Sequence, residues 1–235
     1  MTDTSRAPIP DQPAHAPAPA AAAKPRPRQQ QRKGPARGKP THPALETLFG
    51  LYPQLFGAHF KPLKIGIFED LLTRHPDAFP RDELKVALGL HARSTAYLEC
   101  VAAGLQRHDL DGQPVAPVAP EHVHHAIIEV FRRRQQRTKE DLRPRVVPLL
   151  VAAIEASGLS AAEYAEAMRT QDDTANAMLD EAVARLAQRA AKREALNRAF
   201  QASGQSMEAF AEMYGMDVVE VRRTLEAEHR PCSII

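Results

Sequence analysis

Tryptophan is absent from this 235-residue chain, aromatic side chains amount to eight phenylalanines and four tyrosines, and there are two cysteines. Scarce aromatics set against abundant Ala and Leu argue against a β-sandwich or barrel and for helices. Cys100 lies in an apolar helical stretch and Cys232 near the end, so neither a disulfide framework nor a paired metal-ligand spacing exists. That usage fits a reducing, cytoplasmic setting. No segment approaches the roughly 18 apolar residues of a membrane span, and the first residues hold no apolar run of signal-peptide length. The expectation is a soluble chain without a membrane partner. A P-loop, a dinucleotide fingerprint and a nucleophile elbow are missing as well, so no catalytic residue and no cofactor are assigned.

Positive charge is present but unevenly placed. Lys plus Arg against Asp plus Glu is 8 to 2 in residues 1–42, 11 to 11 in 43–137 and 12 to 16 in 138–235. Residues 1–42 are a Pro/Ala/Arg/Lys-rich run without hydrophobic periodicity, which cannot bury enough surface to offset ordering and is expected to be disordered. A basic tail of this kind suits a polyanion, and it suits a merely solvated segment equally.

Periodic sequence starts at residue 43. Leu45, Leu48, Phe49 and Tyr52 share one face and predict a single helix over 43–56; further helices are expected over 66–75, 81–90 and 94–103, the last capped by Ser94. The Asp111-Gly112 pair between short extended stretches predicts a β-hairpin closed by a tight two-residue turn. After Pro120 the stripe Val123, Ala126, Ile127, Val130, Phe131 predicts a helix ending in Arg132, Arg133, Arg134 and Arg137. Beyond Pro148 everything reads as helix. Positions 46 apart match there, including Leu150/Leu196, Ala156-Ser157-Gly158/Ala202-Ser203-Gly204, Ser160/Ser206 and Leu179/Leu225. A two-copy helical repeat over 145–229 and chance similarity in Ala-rich sequence are both open.

Two constellations look functional and have plainer readings beside them. His122, His124 and His125 cluster in sequence, but adjacent and i+2 positions on a helix do not converge, so no metal site is assigned. Ala211, Gly215, Val221 and Leu225 have helix-turn-helix spacing with Arg222 and Arg223 on the second helix, which would serve DNA binding. The acidic surroundings, Glu220, Glu226 and Glu228 among them, favour a module for packing, protein contact or self-association.

The run Lys61-Pro-Leu-Lys-Ile-Gly-Ile-Phe-Glu-Asp70 resembles the signature of the ProQ/FinO domain family of RNA chaperones. The likeness continues through Leu84-Lys85-x-Ala87-Leu88-x-Leu90, through Ser94 to Tyr97-Leu98, and into Arg107-x-Asp109-Leu110-Asp111-Gly112. It implies a mostly α domain with a small β-hairpin over 43–140, beside a C-terminal all-α module. It further implies binding of structured RNA: hairpins with a single-stranded 3′ end, as in small RNAs and messenger 3′ ends. Lys61, Lys64, Arg81, Lys85 and Arg107 fall on the family's RNA-contacting basic positions, and Tyr97 on a tyrosine lining the pocket for the RNA end. Arg93, Ser94 and Thr95 stand at a helix start, where free backbone N–H groups favour a phosphate. Ser94 is equally an ordinary N-cap. Departures from the pattern are Gly89 in place of a commonly basic residue, Ala96 where a polar one occurs, and His91 in place of a tyrosine. His91 is expected to stack or to donate to phosphate with a modest pH dependence. The rival functions are a DNA-binding regulator acting through the C-terminal module and a protein-interaction adaptor whose ProQ/FinO-like part has lost RNA affinity.

Overall fold

The protein is described by a computed structural model covering residues 42–57 and 59–226. Apart from His42, the basic tail expected over 1–42 lies outside the described residues, as does Cys232.

Pro43 opens α1 (Pro43–Leu51), its fixed φ suiting a first turn, and His42 Nδ1 accepts from the Ala44 amide at 3.3 Å. The single helix expected over 43–56 is in fact two. Pro53 has no N–H to continue the ladder, Tyr52 swings to φ −131°, ψ 62°, and α2 (Pro53–Phe56) restarts with the proline at its head. Next come α3 (Ile67–Arg74), α4 (Arg81–Ala92) and α5 (Thr95–Ala102). Leu48, Phe56, Leu71, Leu84, Ala87 and Val101 from these five helices share one apolar cluster.

Antiparallel strands β1 (Arg107–His108) and β2 (Pro114–Ala116) form the hairpin, but not around a two-residue turn. The connection runs over 109–113. Asp109 Oδ1 accepts from the Asp111 and Gln113 amides at 3.0 and 2.9 Å, and Gly112 takes φ 76°. Two backbone donors captured by one carboxylate outweigh the intrinsic Asp-Gly turn preference. The tip is fastened to α3 by a two-pronged Arg74–Asp111 pair at 2.7 and 3.0 Å. Arg74 holds the Asp111 carboxyl below its ordinary pKa.

Helix α6 (Pro120–Gln135) serves two cores: Ala126 belongs to the first cluster, while Ile127, Ile128 and Phe131 belong to a second. That second cluster is completed by α7 (Arg143–Ala156), α8 (Ala161–Met168) and the first half of α9 (Asp173–Ser203). A third, smaller cluster of Phe210, Ala211 and Val221 joins the end of α9 to α10 (Met207–Tyr214) and α11 (Val218–Glu226). Positions 46 apart take the same local structure. Ser160 and Ser206 each cap a helix through the amide three residues on, Gly158 and Gly204 both adopt positive φ (74° and 59°), and Tyr164 and Phe210 are both fully buried. Among the described residues, no single helix is long and apolar enough to cross a membrane.

Candidate nucleic-acid interface

The segment Pro62–Lys64 is held by four hydrogen bonds on consecutive backbone groups. The Pro62 carbonyl accepts from His108 N at 2.7 Å, the Leu63 amide donates to the Tyr97 hydroxyl at 3.1 Å, the Leu63 carbonyl accepts from Arg107 Nη1 at 3.0 Å, and the Lys64 amide donates to the His108 carbonyl at 2.8 Å. Those bonds add a parallel bridge, Leu63 to His108, along β1. Gly66, at φ 87°, then turns the chain into α3, a conformation any side chain would strain. The loop therefore presents Lys61, Lys64 and an Ile65 that is 75% exposed on a fixed backbone.

Tyr97 and Arg107 sit behind this loop. Tyr97 is only 8% exposed, and burial raises the pKa of its phenol. Its hydroxyl accepts from the Leu63 amide, which fixes the loop, and the hydroxyl proton stays free to donate. Arg107 is half-buried between the Leu63 carbonyl and His122 Nδ1, at 3.0 Å from each. Three of its five N–H donors are uncommitted by these contacts. The Asp109 carboxylate, two residues on, serves the hairpin loop.

The first turn of α3 holds Lys64 and one further cation, Arg81. Asp70 pairs with Lys64 Nζ at 2.8 Å, and its neighbour Glu69 with Arg81 Nη2 at 3.0 Å, while the Arg81 guanidinium lies 5.1 Å from the centroid of Phe68. The Arg81–Glu69 pair is solvent-exposed, where an ion pair is worth about 0–1 kcal/mol, and the Lys64–Asp70 pair is partly so, which leaves both carboxylates open to displacement by a phosphate. Lys85 follows Arg81 by one turn and is exposed. Gly89 would continue the same row. Its place is filled differently: a Cβ built there would meet the Arg93 guanidinium at 3.5 Å. Arg93 thus lies back over Gly89, and Arg81, Lys85 and Arg93 line α4 over about 18 Å, at 1.5 Å per residue.

At the end of that row Ser94 Oγ accepts from the Tyr97 amide at 3.2 Å, so its cap role is occupied; the hydroxyl proton stays free to donate. Thr95 receives a partner that sequence reasoning did not assign to the site. Arg133 Nη1, from α6, donates to the Arg93 carbonyl at 2.7 Å and to Thr95 Oγ1 at 3.2 Å, while its Nε is held by Glu129 at 2.8 Å. Arg133 was visible only as one of three consecutive arginines; which of them turns inward depends on the helix phase set by Ile127 and Val130.

His91 does not belong to this surface. It is 2% exposed, stacked among the rings of Phe56, Phe60 and Tyr97 with centroids 4.6–5.0 Å away, and Nε2 has no hydrogen-bond partner. Burial pushes its pKa down to about 4, so it is neutral near pH 7 and offers no phosphate contact. The three histidines of α6 diverge: His122 meets Arg107, buried His124 faces Tyr164, and His125 is exposed. In the C-terminal segment with helix-turn-helix spacing, Gly215 caps α10 at φ 63° and Arg222 faces Glu208 at 3.9 Å.

Residues 38–143 match the model of the ProQ/FINO family. An RNA chaperone ProQ from Shewanella baltica (strain OS223) is 42% identical over 90 residues, 37% of this chain and 43% of that protein. An RNA chaperone ProQ from Shewanella oneidensis is 40% identical over 103 residues, 42% of this chain and 48% of that protein. The chain therefore spans less than half the length of these curated relatives. The crystal structure of a FinO-like RNA chaperone from Neisseria meningitidis MC58 is 30% identical, with 40% of this chain and 75% of that one covered and a TM-score of 0.35.

Proposed function

We propose that this chain, whose residues 38–143 match the model of the ProQ/FINO family, is an RNA chaperone, binding hairpins that carry a single-stranded 3′ end, such as those of small RNAs and messenger 3′ ends. The observation that carries this reading is the joining of two features: a loop pinned on four consecutive backbone groups that offers Lys61 and Lys64, and a row of cations along α4. An A-form duplex hides its base edges in a deep, narrow groove, so its phosphates and 2′-hydroxyls are what a protein grips. Arg81, Lys85 and Arg93, ending at the Ser94 and Thr95 hydroxyls, supply donors along such a backbone. The pinned loop supplies a preformed seat for the single-stranded end, with exposed Ile65 available as an apolar surface for a base. The mechanism is binding without covalent chemistry: holding the foot of a hairpin and its end together protects the RNA and frees other segments to pair, which serves post-transcriptional regulation by small RNAs.

The test is a titration of the full chain against a terminator-type hairpin with a 3′ tail, the same hairpin without it, and duplex DNA. The full chain is needed because Ile127 and Phe131 pack into the second core, which a cut near residue 140 would open. Tight binding is expected only for the tailed hairpin. Lys64→Ala is expected to weaken it about tenfold or more, the size of one charge-assisted contact. His91→Phe is expected to leave it unchanged. Equal affinity for all three ligands would overturn the proposal.

A further inference from the structure

Beyond residue 140 the arginines are mostly matched by carboxylates: Arg145 by Glu140, Arg169 by Asp180, Arg185 by Glu181, Arg198 by Glu194, Arg222 by Glu208. Among the described residues of this region, the cations without an ion pair are Lys192, Arg193 and Arg223. All three line one cleft of about 810 Å³ between α7, α9 and α11. A fourth cation, Arg189, stands on the same face of α9, held by Glu155 at 3.7 Å. Only Glu155 and Glu220 oppose these four charges among the lining residues, and the floor is Ile154, Leu186, Leu196 and Met216.

The 46-residue correspondence sharpens the point. Lys192 and Arg193 stand where the first copy has Val146 and Val147, which are buried in the second core with Phe131 of α6. The second copy carries charge at the positions where the first seats an apolar helix, so the cleft is poorly made for an apolar docking segment. Arg193 is also half-buried, which costs hydration without a counter-charge.

We propose that this cleft is a second anion site, and that it holds the phosphodiester backbone of single-stranded RNA. Arg189 lies about one turn before Lys192 and Arg193, about 5–6 Å from each on the helix, and Arg223 lines the same cleft from α11, so consecutive phosphates can be held from two sides. The assignment to RNA rests on the reading of the chain as an RNA chaperone: an RNA held at the first site presents its remaining backbone at high effective concentration, so a weak second site contributes to the total.

The full chain is titrated at two salt concentrations with an unstructured RNA oligonucleotide and, separately, with the short tailed hairpin. The triple variant Lys192→Ala/Arg193→Ala/Arg223→Ala is expected to lose about tenfold in affinity for the unstructured RNA, and its log–log salt slope to fall by about 2, at roughly 0.7 per phosphate contact. Hairpin affinity is expected to stay within twofold, while Lys64→Ala shows the reverse pattern. Unchanged binding of unstructured RNA by the triple variant overturns the site. So does an acidic amphipathic peptide that binds the wild-type chain and not the variant while RNA binding is unaffected, since the ligand is then a protein. Failure of the wild-type chain to bind the tailed hairpin, with binding of unstructured RNA still lost in the variant, overturns the first site and leaves this one standing.

Discussion

The two helical segments after residue 140 that correspond at 46-residue spacing share their caps, their left-handed glycines and one large buried ring each, yet they differ in what covers them. Tyr164 belongs to a core of α6, α7, α8 and α9, and its hydroxyl meets His124 Nδ1 at 3.3 Å. Phe210 has a core of three fully buried residues and packs against the rings of Phe200 and Tyr214, the latter 56% exposed. Local sequence builds the same Ser caps and glycine turns twice, although the counterpart of the separate helix α7 is the second half of the long α9. Among the described residues, α6 enlarges the apolar cluster around Tyr164 and has no counterpart over Phe210.

Truncation of the rings gives the largest expected contrast. Tyr164→Ala is expected to cost about 3–5 kcal/mol and to weaken the whole cooperative unit, as large deletions in a closed core do. Phe210→Ala is expected to cost less, about 2–3 kcal/mol, with the loss confined to α10 and α11. Chemical denaturation combined with hydrogen exchange reads both; an equal global loss would remove the distinction between the copies.

Acid gives the next contrast. Burial, with a smaller contribution from His125, pushes the His124 pKa from 6.5 down to about 4. Below pH 6.5 the unfolded chain takes up this proton and the folded chain does not, so the stability present above pH 6.5 is lost as pH falls towards 4, by up to about 3 kcal/mol. Exchange protection of α7 and α8 is expected to fall over that window, whereas that of α10 and α11, whose ring has no titratable partner of this kind, is expected to change little. His124→Phe should flatten the acid limb; a limb that stays as steep would show that His124 is not its source. His91 adds a parallel loss in the first core, because burial lowers its pKa to about 4 as well.

Capping gives the smallest. Ser160 and Glu163 form a reciprocal capping box, while Ser206 has Ala209 at the corresponding position and caps one way only. Ser160→Ala is expected to cost about 1 kcal/mol and Ser206→Ala about 0.5 kcal/mol. Thermal melting of the two variants orders them, and the reverse order would contradict the role given to Glu163.

Much of the fold was legible because its rules are local. Periodic apolar residues, Ser94, Ser160 and Ser206 as caps, and glycines after helices act within a turn or two of chain. Where a proline or a carboxylate competed with the pattern, local reading failed: Pro53 split one expected helix, and Asp109 turned a two-residue turn into a longer loop. The candidate site was legible as a set of residue types. Lys61, Lys64, Arg81, Lys85 and Arg93 reach the surface as expected, but the division of labour among the rest did not show. That Tyr97 and Arg107 also hold the Leu63 backbone was not legible in the sequence. His91 looks like a polar member of the same surface and is enclosed by three rings instead.

By itself, the sequence determined a helical chain with one short hairpin, an uneven charge distribution and a set of basic residues resembling one RNA-binding family, because propensity, periodicity and charge are properties of short segments. Only the tertiary structure decided that Arg133 reaches Thr95, that Arg93 fills the space over Gly89, and that three unpaired cations share one cleft. Those outcomes depend on how helices distant in sequence pack, and a side chain's partner is fixed by that packing rather than by its neighbours along the chain.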